Sequence, residues 1–208
     1  MEIDAYLLWK ITAIFCFVIF GSWSLRRLGM PFHRALILTS FSVFSGFVLS
    51  RVWFIIQNAF GSDPYAPANL ADAWNDAGSV LYGWILGGVV TAYLFIRLWK
   101  YPILKTLDAL PPWVLVAQIL NRFGCFAGEC CWGKPSNAFW AVYSHYQKAR
   151  LHPVQLYEAG WDFLLLLVLY FYPKKGEGQR TFLYIAGYPL GRFFIEFYRG
   201  DNKRPLWV

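Results

Sequence analysis

Apolar residues run through this chain in six blocks, each near the ~20 residues a helix needs to cross a hydrocarbon core of roughly 30 Å. The first spans Ala5 to about Trp23 and holds one cation, Lys10, whose stem lets the ammonium reach the head groups. The second runs from Ala35 to about Ile56. Its polar members are Ser and Thr, which can bond to their own helix carbonyls, and Arg51 near its far end. The third, Val80 to about Leu98, opens with LYGWILGG, whose Gly83, Gly87 and Gly88 would let a neighbouring backbone come close. The fourth, Ile103 to Leu120, is broken near its start by Pro111 and Pro112, so its regular helix is expected from Pro112. The fifth reads LHPVQLYEAGWDFLLLLVLYFY from Leu151 and is stopped by Pro173, Lys174 and Lys175; the sixth runs from Thr181 to about Tyr198. This pattern predicts an all-α polytopic integral membrane bundle of about six transmembrane helices, forming a single domain over residues 1–208.

Charge between the blocks predicts orientation. Arg26, Arg27 and Arg34 follow the first block, Arg97 and Lys100 end the third, and Lys174 and Lys175 follow the fifth. The connection Gln57 to Ser79 carries Asp63, Asp72 and Asp76 and no Lys or Arg. The positive-inside rule then puts the amino terminus outside, and with six passes the carboxyl terminus too. On that topology Arg51, Tyr82, Arg122, the segment His152 to Glu158, and the trio Arg192, Glu196 and Arg199 all fall toward the outer leaflet. Ionisable groups in a bilayer are costly and usually functional, so their convergence marks a site.

Composition narrows the class further. With 58% hydrophobic and 15% charged residues, an ordinary soluble domain is excluded. The net charge of +7 sits between apolar blocks rather than along a basic stripe, which argues for topology signals and against a nucleic-acid partner. The start, MEIDAYLLWK, is acidic and lacks a small-residue cleavage site, so no cleaved signal peptide is expected.

Three groups of residues could carry chemistry. Arg192, Glu196 and Arg199 are spaced i, i+4, i+7 and share a helix face. They read either as an intrahelical ion pair with a snorkelling anchor or as a cationic clamp on a lipid phosphate, Glu196 orienting one Arg. In HPVQLYE, His152 is a candidate general acid or base, with Gln155, Tyr157 and Glu158 in support; the same residues could simply begin a helix. Asn121 to Pro135, NRFGCFAGECCWGKP, brings Arg122, Glu129, Cys125, Cys130 and Cys131 to the exit of an apolar helix. The thiol spacing is not C-x-x-C. With His145 or His152 the thiols could complete a four-ligand metal site, but a disulfide from Cys125 to Cys130 or Cys131 is the plainer use in an oxidising compartment. Cys16, inside the first block, is expected to pack.

These motifs resemble those of the bacterial prolipoprotein diacylglyceryl transferase family. HPVQLYE, His152 to Glu158, is similar to that family's H-P-x-Q-L-Y-E. GRFFIEFYRGD, Gly191 to Asp201, is similar to its R-F-x-x-E-x-x-R segment at Arg192, Glu196 and Arg199. Asn121 to Gly133 resembles the signature G-R-x-G-N-F-x-N-G-E-x-x-G, keeping Arg122, Gly124, Phe126 and Gly133. Arg51 and LYGWILGG fall where the family has an Arg and an H-G-G-x-x-G segment.

The resemblance implies an enzyme of the bacterial cytoplasmic (inner) membrane that moves the diacylglyceryl group of phosphatidylglycerol to the lipobox cysteine of a prolipoprotein and releases glycerol phosphate. It implies phosphate binding by Arg122, Arg192, Arg199 and Arg51, proton transfer by His152 or Tyr82, and no metal or cofactor. The chain departs from the family at Cys125 and Gly128, which stand for Asn, and at Cys130, which stands for Glu with Glu129 one before it. Tyr82 stands for His, and a phenol with a reference pKa of about 10 is a poor base. Two other functions stay open on the residues: a membrane thiol oxidoreductase using Cys125, Cys130 and Cys131, and a non-catalytic phospholipid-binding scaffold.

Overall fold

Long apolar stretches without helix breakers satisfy their backbone groups internally, and the computed structural model is accordingly built of helices. It describes residues 5–60, 81–172 and 176–200, with 57–60 and 81–82 described by backbone alone. In chain order the elements are α1 (Ala5–Arg27), α2 (Phe32–Phe60), α3 (Leu81–Leu98), α4 (Ile103–Leu107), α5 (Pro111–Ala127), β1 (Val142–Ser144), β2 (Ala149–Leu151), α6 (Val154–Phe171) and α7 (Gln179–Glu196). Among the described residues, Ala5–Arg27, Phe32–Ile56, Ile103–Ala127 and Val154–Phe171 are long and apolar enough to cross a membrane, and the apolar part of α3 runs Gly83–Leu98. Phe15, Phe44, Leu94, Leu164 and Phe182 stand exposed along these helices, as side chains facing lipid do. The chain is an all-α polytopic membrane protein, with one small hairpin among the described residues.

Several expected boundaries move. Helix α2 continues to Phe60, and the rest of the acidic connection, 61–79, lies outside the described residues, as do Pro173, Lys174 and Lys175. The fourth block starts its regular helix at Pro111, where a missing N–H costs nothing, and runs on to Ala127. The NRFGCFA half of the cysteine-bearing stretch is therefore helical. The sixth block's helix ends at Glu196, so Arg199 lies beyond it rather than on its face.

The residues divide into two compact units, Ser22–Thr106 and Met1–Gly21 with Leu107–Val208. In the first, α2 and α3 meet through small residues. A methyl on Gly87 would sit 2.5 Å from the Ser45 carbonyl oxygen, and one on Gly46 would sit 2.9 Å from that of Trp84. That closeness lets the Ser45 hydroxyl donate to the Gly87 carbonyl at 3.0 Å and Thr91 donate to Ser45 at 2.7 Å. Gly88, 3.6 Å from its nearest neighbour, is not needed for the approach.

In the second unit, α1 lies along α5 through Trp9 with Phe123 (5.7 Å) and Phe20 with Trp113 (5.1 Å). Helices α5, α6 and α7 pack around Leu115, Leu165 and Leu169, with Tyr184 and Tyr188 against them. Gly187 and Gly191, one turn apart on α7, accept the side chains of Leu165 and Trp161 from α6, and the Trp161 indole donates to the Gly187 carbonyl at 3.0 Å. At the start of α7, buried Asp108 accepts from the Gly178 and Thr181 amides, both at 2.9 Å, and from the Thr181 hydroxyl at 3.0 Å. These bonds occupy donors that a helix start leaves open.

Candidate functional site

The close approach of α6 and α7 brings Glu158, one turn into α6, beside Arg192 near the end of α7. Arg192 Nη1 lies 2.5 Å from Glu158 Oε1, and Arg122 Nη2, reaching from α5, lies 2.5 Å from Oε2. Arg199 Nη1 reaches Oε1 at 3.3 Å. Glu196 Oε2 takes Arg192 Nη2 at 2.8 Å and stands 3.7 Å from Arg199 Nε. Glu158 is 5% exposed, while the three arginine side chains are 13–28% exposed, so the carboxylate lies inside a partly open ring of guanidiniums.

The donor count of this ring decides what it can hold. Each guanidinium has five N–H donors, against about four lone-pair sites on each of two carboxylates. The excess suits a phosphate, whose oxygens match the planar fork of Arg in pairs. Asp162, buried one turn after Glu158, shares a small cavity with Glu158, Trp161, Tyr188, Arg192 and Ile195.

A second cluster forms where the chain enters α6. His152 Nδ1 lies 2.9 Å from the Tyr157 hydroxyl, which also accepts from the Trp140 indole N–H at 2.8 Å. Tyr198 meets the imidazole edge-on at 5.3 Å. Residues 132–136 are clasped between these parts. The Gly133 amide donates to His152 O (2.9 Å), His152 N to Lys134 O (3.1 Å), Lys134 N to Tyr198 O (2.9 Å) and Gly200 N to Trp132 O (3.3 Å). Only glycine fits at 133, since a methyl would stand 2.6 Å from His152 Cβ, Tyr198 O and Val154. The segment after α5 thus ties the start of α6 to the end of α7.

Helix α5 stops by folding its last turn over itself. Gly128 N bonds Gly124 O at 2.8 Å and Cys130 N bonds Cys125 O at 3.0 Å, while Glu129 (φ 50°) and Cys131 (φ 62°) take the left-handed conformation. Glu129 consequently points to the β1–β2 hairpin, where its Oε2 accepts from the Tyr146 amide at 3.0 Å and the Ser144 hydroxyl at 3.2 Å. The Tyr146 bond first, then the Ser144 bond, holds this carboxyl below the usual carboxylate range. Cys125, Cys130 and Cys131 converge with their sulfurs within 4.8 Å of one another, all as free thiols, so the expected disulfide is not formed. The Cys130 and Cys131 thiols are pushed above the ordinary range, first by hydrogen bonding with Cys125. Gln155 donates to the Cys130 carbonyl at 2.5 Å.

Of the residues expected at the site, Arg122, Glu158, Arg192, Glu196 and Arg199 come together, with His152 and Tyr157 in the adjoining cluster. Arg51 belongs to the Ser22–Thr106 unit, its guanidinium 5.8 Å from the Phe47 ring. Tyr82 is in the first turn of α3, and its side chain lies outside the described residues.

A family model described as prolipoprotein diacylglyceryl transferase matches residues 1–208, the whole sequence. The chain belongs to that family. Among curated proteins it is similar to the phosphatidylglycerol–prolipoprotein diacylglyceryl transferases of Clostridium tetani (39% identical over 144 residues, 66% of this chain and 57% of the relative) and Clostridioides difficile (28% over 181 residues, 85% and 71%). The protein of that name from Lysinibacillus sphaericus is 27% identical over 208 residues, 92% of this chain and 75% of the relative. The chain thus spans little more than half of the C. tetani relative. Within this chain the buried carboxylate at the centre of the guanidinium ring is Glu158, a position that the motif HPVQLYE alone did not reveal. Asp162, Tyr188, Trp140 and Ser144 carried no sequence signal, being single polar groups in apolar or mixed surroundings.

Proposed function

We propose that this chain transfers the diacylglyceryl group of phosphatidylglycerol, or a related anionic phospholipid, to a cysteine thiol of a prolipoprotein. It would act as one six-pass domain over residues 1–208, amino terminus outside, at the outer face of the bacterial cytoplasmic (inner) membrane. The observation that carries this reading is the ring of Arg122, Arg192 and Arg199 around buried Glu158 at the ends of apolar helices. Glu158 and Glu196 hold the guanidiniums in place before substrate arrives, which is what electrostatic stabilisation requires.

In the reaction the acceptor sulfur attacks the glyceryl carbon bonded to the phosphate oxygen, and a C–S bond forms as the C–O bond breaks. The electron pair passes to the phosphate oxygen, and the arginines neutralise the glycerol phosphate that leaves. The thiolate is the nucleophile, so the thiol proton must go to a base. His152 takes it through Nε2 when the Tyr157 oxygen accepts the Nδ1–H. The Trp140 indole, donating to the same oxygen, turns the phenol toward that role.

The test is to incubate the purified protein with phosphatidylglycerol and a lipobox peptide, and to follow peptide and lipid by mass spectrometry. A peptide heavier by one diacylglyceryl group and an equal amount of glycerol phosphate are expected. Lipid turnover without peptide modification would remove the proposed acceptor; lipid binding without turnover would leave a scaffold. For the topology, a thiol reagent added from outside is expected to label a Ser79→Cys variant and not a Lys175→Cys variant.

A further inference from the structure

We infer that Cys125, Cys130 and Cys131 form a three-thiolate binding site for a soft closed-shell metal ion, Zn²⁺ or Cu⁺. Cys130 and Cys131 Sγ lie 3.6 Å apart, and the three sulfurs all fall within 4.8 Å of one another. Three sulfurs at the Zn–S distance of about 2.3 Å stand about 3.8–4.0 Å apart in tetrahedral or trigonal geometry. Binding therefore needs movements of less than about 1 Å. Thiolate ligands select this class of ion over harder ones.

Packing explains one of these side chains but not the other two. Cys125 is 5% exposed and could serve as a small apolar filler, whereas Cys130 and Cys131 are only half-buried. What brings them to Cys125 is the folded-over end of α5, with Cys130 N on Cys125 O and two successive excursions into left-handed backbone at Glu129 and Cys131. Non-glycine residues in that conformation are strained and persist where surrounding structure fixes them. Here Ser144 and Tyr146 fix Glu129, and Gln155, 1% exposed, fixes the Cys130 carbonyl. Such outer partners are what orients metal ligands.

Charge balance favours the same occupant. Three thiolates on a divalent ion carry one net negative charge, and the Arg122 guanidinium lies beside Cys125. No step of the transfer proposed above passes through these thiols, so the site is tested by metal binding itself.

The test uses the full-length chain in detergent, purified under reducing conditions and then freed of reductant without air. Titration with Cd²⁺ is expected to produce a thiolate-to-metal charge-transfer band that saturates at about one ion per chain, and prior loading with Zn²⁺ should delay its appearance. Replacing Cys125, Cys130 or Cys131 by Ser should weaken binding at least about 100-fold, more than loss of a supporting partner does. Cys16→Ser should bind as the native chain does. Because a variant can fail for folding reasons, the native chain is also alkylated with and without Zn²⁺. The ion should slow modification of the three clustered thiols and leave Cys16 unchanged. Affinity no greater than that of the triple Ser variant, or alkylation indifferent to Zn²⁺, would overturn the site. A disulfide joining two of the three in protein isolated without reductant would overturn it too, because oxidised sulfurs no longer act as thiolate ligands.

Discussion

Arg122 and Glu158 meet at 2.5 Å across the α5–α6 contact, and Arg192 of α7 meets the other oxygen of the same carboxylate at 2.5 Å. One acid therefore joins three parts of the chain, since Arg199 reaches it from beyond α7. Taking away one member of a buried charge group leaves the others uncompensated, at a cost of about 3–5 kcal/mol.

Glu158→Gln preserves shape and removes the charge, leaving three guanidiniums with Glu196 alone among the acids that bridge them. Thermal unfolding in detergent is expected at a lower temperature than for the native chain. Phosphatidylglycerol in the micelle should recover much of the loss, because its phosphate replaces the missing anion; diacylglycerol, which has no phosphate, should recover much less. Equal recovery by both lipids would argue against a phosphate at this position.

Gly191 is where the Trp161 indole lies against α7, and any Cβ there would overlap the ring. Gly191→Ala should destabilise the protein by about 1–3 kcal/mol, the usual range for overpacking. It should also lower transfer by moving Arg192 from Glu158. A second change, Trp161→Leu, opens space at the contact, so the double variant should be more stable than Gly191→Ala alone. Additive losses would mean that the indole is not the obstacle.

Tyr157 holds the imidazole of His152 by a 2.9 Å bond and is itself held by Trp140. Tyr157→Phe deletes the oxygen while keeping the ring. The expected result is a fall of about 10- to 100-fold in kcat with KM for phospholipid little changed, as befits a residue that positions a proton acceptor. A rise in KM alone would put Tyr157 in lipid binding instead.

Glu129 keeps its charge to lower pH than an ordinary carboxylate because the Tyr146 amide and Ser144 hydroxyl bond to the ionised form. Its folded-state pKa is lowered, so the stability it lends the hairpin is present above the ordinary carboxylate pKa. That contribution is lost as pH falls through the depressed value. Hydrogen exchange at the Tyr146 amide, corrected for the intrinsic pH dependence, should lose protection on acidification. Glu129→Gln should lack that transition.

The membrane helices were legible because apolar blocks of about 20 residues have few alternatives. Their ends were less so. Arg199 falls seven residues after Arg192, which suggests one helical face, yet the helix ends at Glu196 and backbone pairing with Gly133 carries Arg199 to Glu158. The β1–β2 hairpin escaped notice because three-residue strands of mixed polarity, Val142–Ser144 and Ala149–Leu151, give no alternation to read. Asp108 and Asp162, single acids in apolar surroundings, likewise gave no pattern. Thiol spacings of five and six residues gave no sign of convergence, since the backbone turns at Glu129 and Cys131 that produce it are not typical of those residue types. Arg122, Arg192, Arg199 and His152 stood out in the sequence by motif and by position at block ends, as did Arg51, which belongs to the other unit.

The central claim is that this ring of arginines holds the phosphate while a thiol takes the diacylglyceryl group, and Arg192→Ala tests it most directly. The rates of lipobox-peptide adduct formation and glycerol phosphate release from phosphatidylglycerol should fall together, by about 10²- to 10³-fold, the usual loss for one donor to a developing oxyanion. A folded Arg192→Ala protein that forms both products at the native rate would contradict the claim.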